Sequence, residues 1–223
     1  MISFNKEEHT YTVDNDQYIS VTTLLSSWFK KFDEEKVIRA IRAKPSKYDG
    51  MTDDEIKKQW ETERNEAARL GTDLHENIER YFKGDQVTES IEYGYFLQFI
   101  KDVPLITKAV EWTVFHKDIK LIGTIDYVSK NKDGTIDLYD WKRSKDILKT
   151  NGHSIIPELC HIPDSKFWKY TLQLNLYKYL VEKNGEKVRR MYIVCFHPIN
   201  LGYQKYHVAD LDLENVLNRI RKV

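Results

Sequence analysis

Cysteine is scarce in this 223-residue sequence, which has two thiols, Cys160 and Cys195. Two thiols cannot build a four-cysteine zinc or iron–sulfur site, and they read as reduced residues of an intracellular protein. Long apolar runs are missing too: no stretch reaches the ~18 residues expected of a membrane-spanning helix. The first residues show no basic segment followed by an apolar one, and no Arg-rich amphipathic pattern. Neither a secretory leader nor a transit peptide is expected, and the protein is expected to be soluble and intracellular. Net charge is absent as well, since 35 basic residues balance 35 acidic ones. That balance argues against a polycation that coats nucleic acid. It leaves room for a local basic groove, because a carboxylate cluster on the same chain would cancel it. No internal repeat or low-complexity segment is visible.

What is present is an ordinary globular composition, 41% hydrophobic and 31% charged, long enough to form a core without disulfides or a structural metal. The sequence reads as one domain over residues 1–223, with an N-terminal hairpin and basic helical segment in 1–50 and a core in 51–223. Tyr11 and Val13 alternate around a turn at Asp14-Asn15-Asp16 and rejoin at Tyr18, the pattern of a small hairpin. Leu24, Leu25 and Trp28 follow as a short helix, and residues 30–47 are rich in Lys and Arg. Thr52-Asp53-Asp54-Glu55 is a capping box. Behind it Ile56, Trp60, Ala67, Leu70, Leu74, Ile78 and Tyr81 recur at helical spacing. Gly71 interrupts this pattern and Gly84 ends it. Gly71 costs the helix ~1 kcal/mol relative to Ala, which points to a close backbone approach or a bend.

A helix is expected over 89–101 and strands over 110–116, 120–128 and 135–142, the last two joined by a turn at Asn131 to Gly134. Asn151-Gly152, Pro157 and Pro163 make 143–166 a long loop, of the kind that often carries function. A helix over 167–183, a strand over 190–196, a weaker strand over 202–207 and a helix over 212–221 complete an α/β fold with a mixed central sheet flanked by helices.

Chemistry concentrates on the strands. Residues i and i+2 of a strand share a face, so Asp140 and Lys142 lie on the side of Ile136 and Leu138, and Asp126 on that of Ile122 and Thr124. Two antiparallel strands can bring Asp126 and Asp140 together with Lys142 alongside. Two carboxylates and an amine at a sheet end suit a hard cation and an activated water. The plainer reading is a surface cross-strand pair worth under ~1 kcal/mol. His75 and Glu79 stand one turn apart on the long helix, as do Gln173 and Tyr177 on the later one. Taken alone, each pair could be an ordinary helix face. Glu111 either touches the site or supports it.

In combination these residues resemble the RecB-like branch of the PD-(D/E)XK nucleases. The motifs run in the family's order: Gly71-Thr72-x-x-His75-x-x-x-Glu79, Glu111, Gly123-Thr124-Ile125-Asp126, Asp140-Trp141-Lys142, and Gln173-x-x-x-Tyr177. The lead-in from Ile19 to Leu25 is also similar. Mitochondrial genome maintenance exonucleases and small phage-type exonucleases are the relatives it looks most like. Asp140 stands where many members have Glu, which the pattern permits, and the cysteines of the iron–sulfur members are absent.

The resemblance implies a restriction-endonuclease-like core. It implies Asp126, Asp140, His75 and the Trp141 carbonyl as ligands of one or two Mg²⁺ or Mn²⁺ ions, with no iron–sulfur cluster. Lys142 would orient or deprotonate the attacking water, and Gln173 and Tyr177 would position Lys142 or the substrate phosphate. Glu79 and Glu111 would be auxiliary. The expected substrate is DNA, single-stranded or at free ends, held in a groove that includes Lys30, Lys31, Arg39, Arg42, Lys44, Lys47, Arg143, Lys145 and Lys149. Replication or recombination proteins are expected partners; no membrane is, and no oligomeric state is legible. Exonuclease action is the first reading. An endonuclease of the same fold, a catalytically silent binding module and a small-substrate phosphatase are its rivals.

Overall fold

The structure, a computed structural model, describes residues 2–5 and 10–220. Strand β1 (Ile2–Asn5) pairs with β2 (Thr10–Val13), which turns into β3 (Asp16–Ser20). The turn residues Asp14 and Asn15 both have positive φ, 50° and 73°, the geometry of the two-residue hairpin turn that their short polar side chains tolerate. Ser20 then caps helix α1 (Val21–Ser26), its Oγ accepting from the Thr23 amide at 3.0 Å. Asp33 does the same for α2 (Glu34–Arg42).

The capping box starts helix α3 (Asp53–Lys83) as expected: Thr52 Oγ1 accepts from the Glu55 amide, and Glu55 accepts from the Thr52 amide at 2.7 Å. Gly84, at φ 77°, ends it in the left-handed conformation that lets an amide reach back to the last carbonyls. Gly71 does not interrupt α3. The helix passes through it without a break, and a Cβ there would meet nothing within 4 Å. The expected close backbone approach is therefore absent.

Helix α4 (Ile91–Asp102) leads into a meander of β4 (Thr107–His116), β5 (Leu121–Lys130) and β6 (Ile136–Lys142). Gly134, at φ 84°, makes the second turn. The segment 143–166 is not one open loop. It folds into β7 (Thr150–His153), a 3₁₀ turn over Pro157–Leu159, and β8 (Pro163–Ser165), which pairs antiparallel with β7. All of β7 is exposed, so no apolar alternation advertised it. Helix α5 (Lys166–Lys183), strands β9 (Val188–Cys195) and β10 (Gln204–His207), and helix α6 (Glu214–Ile220) follow.

Strand β5 organises the main sheet. Along one edge it pairs antiparallel with β4, from Leu121 opposite His116 to Ser129 opposite Thr107. Its other edge is divided: β3 pairs in parallel with Leu121 and Ile122, and β6 pairs antiparallel with residues from Tyr127 to Lys130. Between them, 123–126 has no strand partner on that edge among the described residues. β6 continues in parallel with β9, and β9 carries β10. The sheet is therefore mixed, as expected.

Helices cover it from both sides. Leu74 and Ile78 of α3 and the aromatics of α4 pack on Tyr127, Tyr139, Trp141 and Phe196. The opposite face meets α1, α5 and α6 through Val21, Leu172, Leu176, Leu180 and Leu217. Two apolar layers of this extent fix the register of the sheet, because a one-residue slip would turn each buried face to water.

Candidate active site

The divided edge of β5 creates the site. After Tyr127 opposite Tyr139, β5 and β6 no longer pair, and the Asp126 carboxylate takes over as partner: its Oδ2 accepts the Trp141 amide at 2.7 Å. That bond fixes the carboxylate and leaves Oδ1 facing outward. His75 reaches the same point from α3. Its Nε2 lies 2.9 Å from the Trp141 carbonyl, and its Nδ1 lies 3.6 Å from Asp126 Oδ1. In the neutral imidazole that donates from Nε2, Nδ1 turns a lone pair toward a carboxylate oxygen. Two acceptors facing each other call for something positive between them.

Glu111 completes the group. Extending the β4–β5 register places it opposite Asp126, and its φ of 48° is the left-handed conformation, rare for a side chain of this size and absent from regular strands. Among the described residues, ligand atoms of His75, Glu111 and Asp126 all lie within 4.8 Å of one another. Glu111 thus touches the site rather than supporting it from outside. Burial, and after it the neighbouring Asp126 carboxylate, pushes the Glu111 carboxyl up to about 8.

Asp140 and Lys142 project to the same side of β6, as the strand period requires. Lys142 Nζ donates to Asp140 Oδ1 at 2.8 Å, and Asp140 is 1% exposed. Its Oδ2 is buried with no hydrogen-bond partner, a costly condition for a carboxylate unless a cation meets it. Burial raises the Asp140 carboxyl, and Lys142 opposes that shift. Burial alone would lower the Lys142 ammonium, but the carboxylates of Asp140 and Asp126 more than offset it, so Lys142 stays charged well above its ordinary range. A group in that state donates hydrogen bonds and positive charge and has no lone pair to take a proton.

The donor set fits a hard divalent cation. An imidazole nitrogen and carboxylate oxygens converge, one carboxylate oxygen is orphaned, and three carboxyl groups face a single ammonium. His75, Glu111 and Asp126 could hold an ion, with Asp140 beside them.

Gln173 and Tyr177 lie deeper. Gln173 Nε2 donates to the Tyr177 hydroxyl at 2.8 Å, and neither bonds Lys142 among the described residues. The Tyr177 ring lies against Gly123, where an added Cβ would overlap ring atom Cε1 and come within 3.2 Å of Val21. Burial raises the Tyr177 hydroxyl. The pair therefore braces the unpaired 123–126 segment from the α5 side. Glu79 stands at the rim, ion-paired to Lys83 at 2.6 Å.

Sequence reasoning missed Tyr170, whose ring lies 4.8 Å from Lys142 Nζ. Tyr170, Gln173 and Tyr177 fall at i, i+3 and i+7, one face of α5, so extending the Gln173 face by a turn would have found it. Arg143 corrects another expectation. It is engaged with Glu92 at 2.6 Å, both largely buried, and so does not line an open groove.

A family model described as the PD-(D/E)XK nuclease superfamily matches residues 28–220. Among solved structures, the crystal structure of SSO0001 aligns with 19% identity and a TM-score of 0.41, covering 94% of this chain and 76% of that one. No curated protein matches the chain. Among the described residues, no helix is long and apolar enough to cross a membrane.

Proposed function

Because the chain belongs to the PD-(D/E)XK nuclease superfamily, and is therefore a nuclease with a nucleic-acid substrate, we propose that it is a divalent-metal-dependent deoxyribonuclease. We read it as an exonuclease of the RecB-like branch acting on single-stranded or free DNA ends during replication, repair or recombination. The observation that carries this reading is the meeting of His75, Glu111 and Asp126 beside the orphaned Asp140 oxygen and the charged Lys142. A phosphodiester repels hydroxide and has a poor leaving group, so hydrolysis needs positive charge at the phosphate and an oriented water.

Mg²⁺ or Mn²⁺ bound here would lower the pKa of a coordinated water and polarise the phosphoryl oxygen. His75, Asp126 and Glu111 would hold the ion, with Asp140 and the Trp141 carbonyl as further donors. The Trp141 carbonyl also orients the His75 ring through Nε2, as partners of ligating histidines do. Lys142, kept as an ammonium by Asp140, orients the water and offsets charge at the phosphate; the structure supports this role over that of a base. Gln173 and Tyr177 keep the Asp126 segment in place. Residues 1–223 act as one nuclease domain in this reading, and basic residues of the N-terminal segment approach the DNA backbone.

The test is cleavage of end-labelled linear and circular DNA, single- and double-stranded, in Mg²⁺, Mn²⁺ or EDTA. Metal-dependent loss of linear DNA with circles spared is the expected result. Asp126→Ala should abolish it, and Lys142→Met should lower kcat by ~10²–10³-fold, the usual effect of removing a preorganised charge. Nicked circles would make the protein an endonuclease. Binding without cleavage in any metal would make it a silent module of the same fold.

A further inference from the structure

Between α2 and the β7–β8 hairpin is an open cleft of about 1000 Å³, lined by Lys30, Lys31, Lys36, Lys44, Lys149 and Lys169. The chain as a whole carries no net charge, so this concentration is local. The cleft's two acids are both engaged. Asp164 pairs with Lys169 at 2.6 Å, and Asp33 accepts the Lys36 amide at 2.9 Å as the cap of α2. The other five lysines have no ion-pair partner among the described residues.

In this basic wall stands Phe32, 64% exposed to solvent. Its ring meets the edge of Trp60 at 5.7 Å, and Trp60 is itself held by the Tyr48 hydroxyl, which accepts from Nε1 at 2.8 Å. The exposed ring is thus braced from behind and open in front. An apolar ring among unpaired ammonium groups is poorly placed for packing and well placed for a flat, anionic polymer.

Helix α5 links the cleft to the reactive centre. Lys169, on its wall, immediately precedes Tyr170, whose ring lies against Lys142. The walls are also fastened to each other, for the Ser154 hydroxyl and the Ile155 amide both donate to the Trp28 carbonyl, at 2.8 and 2.9 Å.

We propose that this cleft is the single-strand-selective part of the substrate site, with Phe32 stacking on an unpaired base while the lysines follow the phosphates. The inference rests on the nuclease reading for its substrate class, and it adds the residue that sets strand preference. The physical reason for selectivity is simple. A base inside a duplex has both faces covered by its neighbours, whereas an unpaired base offers a free face to a protein ring. The lysines alone would attract either form, because phosphate charge is common to both.

The test is binding, measured apart from cleavage. Fluorescence anisotropy of the full chain in EDTA would compare labelled oligo(dT) with a labelled hairpin duplex. Phe32→Ala should weaken oligo(dT) binding by about 5- to 150-fold, the range for loss of one stacked base, and leave duplex binding unchanged. Phe32→Trp should restore the affinity and show indole quenching on oligo(dT) addition. Lys44→Gln should weaken both ligands and lower the salt slope by ~1. Equal loss on both ligands in Phe32→Ala, or no loss on either, would overturn the proposal. Wild-type protein that cleaves DNA while Phe32→Ala binds normally would remove this inference and keep the nuclease. A Phe32-dependent strand preference in a protein that cleaves nothing would do the reverse.

Discussion

Glu111 holds a backbone conformation that the rest of its strand does not share, and the carboxyl is half-desolvated beside Asp126. Its pKa is raised from 4.5 to about 8, so between those values the folded chain binds more protons than the unfolded one. The stability this gives is full below pH 4.5 and is lost as pH rises toward 8, at no more than ~1.4 kcal/mol per pH unit for one group. Denaturant titrations in EDTA should show this decline, Glu111→Gln should flatten it, and Mg²⁺ should reverse it in the wild type; a wild type with no decline would remove the buried-acid account. Gly123→Ala should cost ~1–3 kcal/mol, the usual penalty for overpacking, because the Tyr177 ring occupies the space; an unchanged melting curve would show that the ring can retreat. At this scale the sequence was informative about identity and poor about posture. Strand period put Asp140 and Lys142 on one face and the resemblance gave them and Asp126 a role, whereas the turned backbone at Glu111 leaves no trace in residue type.

Helix α3 was legible from its cap to its end because Thr52, Glu55 and Gly84 are residues whose chemistry names a helix terminus. Its one misreading, at Gly71, came from treating glycine as a sign of contact. With open space around that position, Gly71→Ala should raise stability by ~0.5–1 kcal/mol through helix propensity alone, measurable as a shift of the denaturation midpoint at constant slope. A loss instead would mean that Ala cannot sit there. The β7–β8 hairpin was illegible for the opposite reason. Its strands are too short to alternate, β7 being wholly exposed and β8 largely buried, and tertiary bonds to Trp28 hold it. Position in space, and not propensity, makes that element.

At the scale of the molecule, the α/β class and mixed sheet were readable because each long element carries its own periodicity. The division of one edge of β5 was not readable, since it depends on which strands meet across distant sequence. β3 is joined to β5 through Ile19 opposite Leu121 and Ser20 opposite Ile122. The pairing of β6 with β9, by contrast, runs from Ile136 to Lys142. Local opening should follow that difference. Native-state hydrogen exchange should show β1 to β3 opening at a lower free energy than β5, β6 and β9, and equal protection throughout would mean that the helices, and not the ladders, set the cooperative unit. The same arrangement bears on descent. Asp126, Asp140 and Lys142 lie on strands whose mutual register does not pass through the N-terminal three, so the outer strands can lengthen, shorten or be exchanged across generations without disturbing the atoms that do the chemistry. One strand serves as the keel, and what is fastened to its bow is free to vary.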